Sequence, residues 1–176
     1  MCEEKKELCK IGRLVGERVN YIGRAANMLD LGFGEDVVVT TRRGTRTVGT
    51  YILHVQCPWR IINVEKRGMY LGSMDFYAPS NQVKADKNFR YETFDWDVRG
   101  QNLFDEKAPR WFAGLEGVTV TEAKLYRFGD ARIKLSNGDW IEIFATESAD
   151  RECWRLFQYE HDTEDLIVNS GTGVQR

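Results

Sequence analysis

The dipeptide Trp-Arg occurs twice in this chain, each time at the end of a β-like run. It reads Gln56-Cys57-Pro58-Trp59-Arg60-Ile61 in the first half and Glu152-Cys153-Trp154-Arg155-Leu156-Phe157 in the second. The flanks correspond too. Leu14, Gly16 and Val19 match Leu115, Gly117 and Val120; Leu29-Asp30-Leu31 matches Ile133-Lys134-Leu135, with Gly34 against Gly138; Met69 to Ser73 matches Leu166 to Ser170. Such a pattern is that of a decayed tandem duplication of a unit of roughly sixty residues, and a repeat of that size constrains fold class. The expected units run over about 14–73 and 115–171.

Strand signals dominate both units. Thr47 to Cys57 and Val37 to Thr41 are rich in the β-branched and aromatic residues that fit a pleated surface, and Arg42 to Arg46 joins them. Val118 to Tyr126, Ala131 to Leu135, Trp140 to Phe144 and Trp154 to Tyr159 read as four more strands, with no proline inside any of them. Between Leu135 and Trp140, Asn137-Gly138 suggests a two-residue hairpin loop. That loop would pair Ile133 with Glu142 and Lys134 with Ile141, mixing charged and apolar side chains on both faces. A three-residue loop, Ser136-Asn137-Gly138, with Gly138 left-handed, pairs Ile133 with Ile141, Ala131 with Ile143 and Arg132 with Glu142. A slip of one residue turns a whole strand over, so the three-residue loop is expected. Helix signals are confined to Glu3–Val15 and a short turn around Ala108 to Leu115.

The segment 75–114 between the units is too long for an ordinary connection. It carries nine aromatic residues, from Phe76 to Phe112, interleaved with acids such as Asp95, Asp97, Asp105 and Glu106. At that density the rings must pack, so an ordered aromatic-acidic strap over the sheets is expected. Asp95-Trp96-Asp97 and Trp111 are its candidate contacts for a partner, since Trp and Tyr dominate interface hot spots.

With 176 residues, 42% hydrophobic and 12% aromatic, the chain is long and apolar enough for one well-filled domain. Its 25 basic and 27 acidic residues give a net charge of −2, which offers no general electrostatic basis for binding nucleic acid or membrane. No run reaches transmembrane length and Met1 to Lys10 is charged, so a cytoplasmic protein with reduced cysteines is expected, Cys57 and Cys153 being free and buried.

His54-Val55-Gln56-Cys57 invites reading as a metal half-site or a nucleophile pair. On a regular strand, however, Cys57 shares a face with Leu53 and Val55 while His54 points the other way. No paired Cys-x-x-Cys spacing supplies further ligands, so neither metal nor cofactor is expected. Arg60 and Arg155 hold equivalent places after each Trp, and a Trp in the core sends the following Arg outward. They suit either ion pairs with acids such as Asp75 or Glu142, or an anionic ligand. Arg42 to Arg46 reads as a solvated hairpin tip.

At His54-Val55-Gln56-Cys57-Pro58-Trp59-Arg60-Ile61, followed by Gly72-Ser73 and Asp75, the chain resembles a family of small uncharacterised bacterial proteins. That family shares a His-x-Gln-Cys-x-Trp-Arg segment and a second Trp-Arg near the C-terminus, which Asn137-Gly138 through Phe157 matches here. The resemblance brings no catalytic residues. It implies a binding role of the toxin-immunity kind.

The expectation is therefore a mainly β, β-rich α+β single domain. Two related antiparallel β-meander units pack as a pseudo-symmetric sandwich or partly open barrel. The expected function is non-catalytic binding of a protein partner through the strap or the seam between units. The alternative is a small enzyme or anion-binding protein with Arg60, Arg155, His54 and Asp75 around a seam pocket.

Overall fold

The computed structural model describes residues 10–41, 44–159, 165–170 and 173–174. It is β-rich and entirely antiparallel in its ladders. The first half holds β1 (Val19–Ala25), β2 (Met28–Thr41), β3 (Gly44–Val55), β4 (Trp59–Asn63) and β5 (Gly68–Gly72). The second holds β6 (Val120–Leu125), β7 (Ala131–Leu135), β8 (Asp139–Ile143), β9 (Glu152–Gln158), β10 (Leu166–Asn169) and the short β11 (Gly173–Val174). Between them lie α1 (Asn81–Lys84) and α2 (Leu103–Ala113).

The strands form one sheet in the order β1-β2-β3-β9-β10-β11 and another in the order β6-β7-β8-β4-β5. Advancing β1, β2 and β3 by five gives β6, β7 and β8, and moving β9 and β10 back by five gives β4 and β5, while the short β11 has no counterpart. The first half thus supplies a three-stranded meander to the six-stranded sheet and a hairpin to the other. The second half supplies a three-stranded meander to the five-stranded sheet and β9-β10, with the short β11, to the other. Ladder register repeats the relation: Trp59 pairs with Ile143 and Arg60 with Glu142, while Trp154 pairs with Val55 and Arg155 with His54. Register shifts fall between Val19 and Tyr21 in β1 and between Val120 and Glu122 in β6. Arg18 and Thr119, which precede those strands, pair with each other, as equivalent residues do beside a twofold axis.

The inward side chains of both sheets belong to one buried cluster, including Leu31, Leu53, Trp154 and Leu156 from the first sheet and Trp59, Ile61, Ile133 and Ile141 from the second. Both tryptophans are anchors, at 2% and 0% exposure. Their ends differ. Trp154 Nε1 donates to the Gly129 carbonyl at 2.8 Å. Gly129 has φ +96°, and a Cβ there would lie 2.7 Å from Val168, so this close turn requires glycine. Trp59 Nε1 is buried without an acceptor, and its ring meets Phe76 and Phe104 edge-on at 5.6 and 6.0 Å. The segment 75–114 therefore closes one end of the core.

The β7–β8 hairpin has the expected three-residue loop, with Ile133 opposite Ile141, Ala131 opposite Ile143 and Gly138 at φ +87°. The fine alignment of the halves needs correction. Val55 and Ile143 pair with Leu29 and Ala131, so Leu29 is level with Ala131 and Leu31 with Ile133, two residues from the sequence match. Leu71 likewise stands level with Leu166, since their partners are Ile61 and Leu156. A slip of two keeps every side chain on its face, so hydrophobic pattern alone does not detect it.

Helix α2 starts at Leu103, earlier than the turn expected near Ala108. Asn102 caps it by accepting from the Asp105 N–H at 2.8 Å, and Asp105 and Glu106 sit favourably in its first turn. Of the helix expected over Glu3–Val15, residues 3–9 lie outside the described residues, and Ile11–Leu14 is a 3-10 turn. Arg42 and Arg43 are likewise outside them; Gly44 to Arg46 is exposed.

The two anchors respond differently to loss of the indole N–H. Trp154→Phe orphans a buried carbonyl, a cost of about 1–3 kcal/mol, whereas Trp59→Phe removes a donor that has no acceptor. Urea unfolding is expected to show the larger loss of stability for Trp154→Phe.

Candidate functional site

Strand alternation sends the residue after each Trp outward. Arg60 therefore lies on the outer face of the five-stranded sheet and Arg155 on the outer face of the six-stranded sheet. His54 stands beside Arg155 on the latter face, with Nε2 3.4 Å from Asp30 and its ring edge-on to Phe157 at 5.0 Å. Arg155 is paired with Glu152 (Nε to Oε1, 2.6 Å). Asp75 accepts the Gly72 N–H at 3.1 Å and holds the start of a 3-10 turn. His54 and Arg155 come together, but Arg60 and Asp75 do not join them. An anion site built from those four side chains is excluded by this geometry.

The strap also differs from its expected surface. Its tryptophans part company: Trp96 is half-buried against Tyr77 at 5.0 Å, and Trp111 is buried with Nε1 donating to Asp139 at 3.0 Å. Only Trp96 offers area to a partner. Segment 75–114 holds seven acids but also six bases; Asp105 and Glu106 are half-buried, whereas Asp86, Glu92, Asp95 and Asp97 stay exposed. Asp97 and Asp105 grip Arg24, Glu106 takes the Asn81 amides, and Asp86 and Asp95 each accept a nearby backbone N–H. The six bases leave the segment close to neutral in net charge.

Arg24 is the residue that linear reading missed. Its side chain is 1% exposed, and all five of its N–H donors are used, on Asp105, Asp97 and the carbonyls of Ala26 and Asp97, at 2.8–3.1 Å. The Asp105 carboxyl is pushed up by burial. Hydrogen bonds from Arg24 and the Gly100 N–H, with the charges of Arg24 and Arg99, outweigh that and hold it below the usual carboxylate range. This clamp ties the strap to β1. Its partners lie more than seventy positions away, and no local motif announces them.

The outer face of the five-stranded sheet gathers the most organised exposed chemistry. One ladder row runs Arg60, Glu142, Arg132, Lys124, and the next runs Met69, Ile62, Trp140, Lys134, Glu122. Glu142, with a side chain only 7% exposed, lies between Arg60 Nε at 2.6 Å and Arg132 Nη2 at 2.9 Å. Arg60 stacks over Phe144 at 5.3 Å; Arg132 and Lys134 lie over Trp140 at 4.3 and 5.2 Å. Four cations against two acids leave this face at +2, in a chain of net charge −2. At the equivalent positions of the other sheet stand Arg155, His54, Asp30 and Gly23. The ladder is shared, and the charge is not.

Cys57 and Cys153 are free, buried neighbours where the chain crosses between sheets, and burial together with Cys153 pushes the Cys57 thiol well above its usual range. A thiol so shifted is a poor nucleophile. Among the described residues, no helix is long and apolar enough to cross a membrane, and no group of three or more His, Cys, Asp or Glu could hold a metal. No known protein family, curated protein or solved structure matches the chain.

The clamp makes a pH-dependent contribution. Because the folded-state pKa of Asp105 is depressed, its stabilisation is fully present above the unfolded value of about 3.9 and is lost as pH falls through the folded value. Acid titration of stability is expected to be flatter in Asp105→Asn than in the wild type below about pH 4, as followed by tryptophan fluorescence.

Proposed function

We propose that the chain is a non-catalytic binding protein, of the toxin-immunity kind that its Trp-Arg segments suggest, and that it docks an acidic protein partner. The observation that carries this reading is the outer face of the five-stranded sheet, where Arg60, Arg132, Lys124 and Lys134 outnumber Glu122 and Glu142. Ion pairing and ring stacking hold these cations in place before any partner arrives, which lowers the ordering cost of binding. Trp140 and Phe144 are each covered by a cation, so neither ring is an open platform for a nucleobase. That favours a protein partner over nucleic acid.

Complementary charge acts mainly on the association rate. A partner captured from the native host is expected to associate about tenfold more slowly with the Lys124→Glu, Lys134→Glu variant, and high salt is expected to slow the wild type and narrow the difference between the two. Thermal unfolding checks that the variant remains folded. Unchanged association, or loss of binding on Trp96→Ala instead, would move the contact off this face.

A further inference from the structure

At one end of the five-stranded sheet, α2, the β4–β5 turn and the β7–β8 hairpin enclose a pocket of about 430 Å³, a volume suited to a small organic ligand. Its floor is Asp139, 2% exposed. Oδ1 accepts from Asn63 Nδ2 at 2.8 Å, and Oδ2 accepts from Trp111 Nε1 and Asn137 Nδ2, both at 3.0 Å. Asn63 Oδ1 in turn accepts the Lys66 N–H at 2.9 Å. This lattice ties all three elements together, and every donor in it is neutral. The compensating charge stands on the walls as Lys66, Lys107 and Arg110. Among the described residues, neither lysine pairs with a carboxylate, and Arg110 reaches only Glu106 at 3.8 Å. Three cations against one buried carboxylate leave the pocket at +2.

Pseudo-symmetry makes this end distinctive. Three residues beyond the Arg60–Glu142 pair the ladder carries Asn63 and Asp139; three beyond Arg155–His54 it carries Gln158 and Tyr51. The polar lattice is thus absent from the matching position in the other sheet, and here α2 packs against β5.

We propose that this pocket binds a small aromatic phosphate monoester. Near neutral pH such a group approaches a charge of −2, because its second pKa is about 6, and this matches the net +2 of the pocket lining better than a single carboxylate does. The planar guanidinium of Arg110 suits two phosphate oxygens at once, with Lys66 and Lys107 as mobile point charges. Met69, Tyr70 and Trp111 supply apolar lining for the ring.

The test uses phenyl phosphate and inorganic phosphate as probes, with the Trp111 indole N–H signal as an NMR reporter on the pocket floor. A saturable shift of that signal is expected, with phenyl phosphate binding about tenfold more tightly than inorganic phosphate. Lys66→Ala with Lys107→Ala is expected to weaken binding at least tenfold, and Arg110→Ala to do likewise. Lys124→Ala with Lys134→Ala leaves it unchanged, which separates this site from the docking face. An unchanged Trp111 indole signal in the free variants shows that the floor is intact. Lack of saturation, equal binding by the pocket variants, or shifts confined to the sheet face would each overturn the proposal; equal affinity for the two probes would overturn its aromatic part.

Discussion

The structure depends on the chain crossing twice between its two sheets, with a buried tryptophan just after each crossing. Gln56–Pro58 carries the first half out of β3 and into β4, and residues 144–151 carry the second half from β8 into β9. At these places Gln56 N–H donates to the Cys153 carbonyl, and Phe144 N–H donates to the Pro58 carbonyl, at 2.8 and 2.9 Å. Each crossing is therefore stapled to the other, and Trp59 and Trp154 enter the common core immediately afterwards. Neither half closes a sheet alone: without the exchange, β3 and β8 would both be exposed edges.

Exchange gives the two outer faces the same ladder but leaves their side chains free to diverge. Arg60, Glu142 and Arg132 on one face stand where Arg155, His54 and Asp30 stand on the other. Glu142 between two guanidiniums organises the first set into a positive comb. The second set is close to neutral when His54 is uncharged. The strap adds a further asymmetry, since α2 and Phe104 cover the Trp59 end and the Gly129 turn covers the Trp154 end. The proposed docking face and the proposed phosphate pocket both lie on the five-stranded sheet, where that divergence is greatest.

Much of the architecture could be read from the residues. The paired Trp-Arg segments, Gly16 and Gly117, and the face-by-face logic at Ser136-Asn137-Gly138 all correspond to real geometry. Periodicity of two reports the face of a strand and not its absolute register, so the two-residue slips at Leu29 and Leu71 were invisible to it. Charge in the strap misled for a related reason. Sequence counts carboxylates without saying which way they turn, and Asp105 turns inward onto the buried Arg24 while Asp97 grips the same guanidinium from an exposed position. Arg60 and Arg155 point outward as strand alternation requires, but which sheet each belongs to depends on the exchange. The cluster of Asn63, Trp111, Asn137 and Asp139 joins three segments far apart in the chain, and only the fold assembles it.

Native-state hydrogen exchange tests the interdependence of the halves most directly. Amides of Leu53 in the first sheet and Ile141 in the second should exchange through one common global opening, and Trp154→Ala should lower protection at both by the same factor. Loss of protection at Leu53 with Ile141 undisturbed would show that the second sheet stands without the first, contradicting the account.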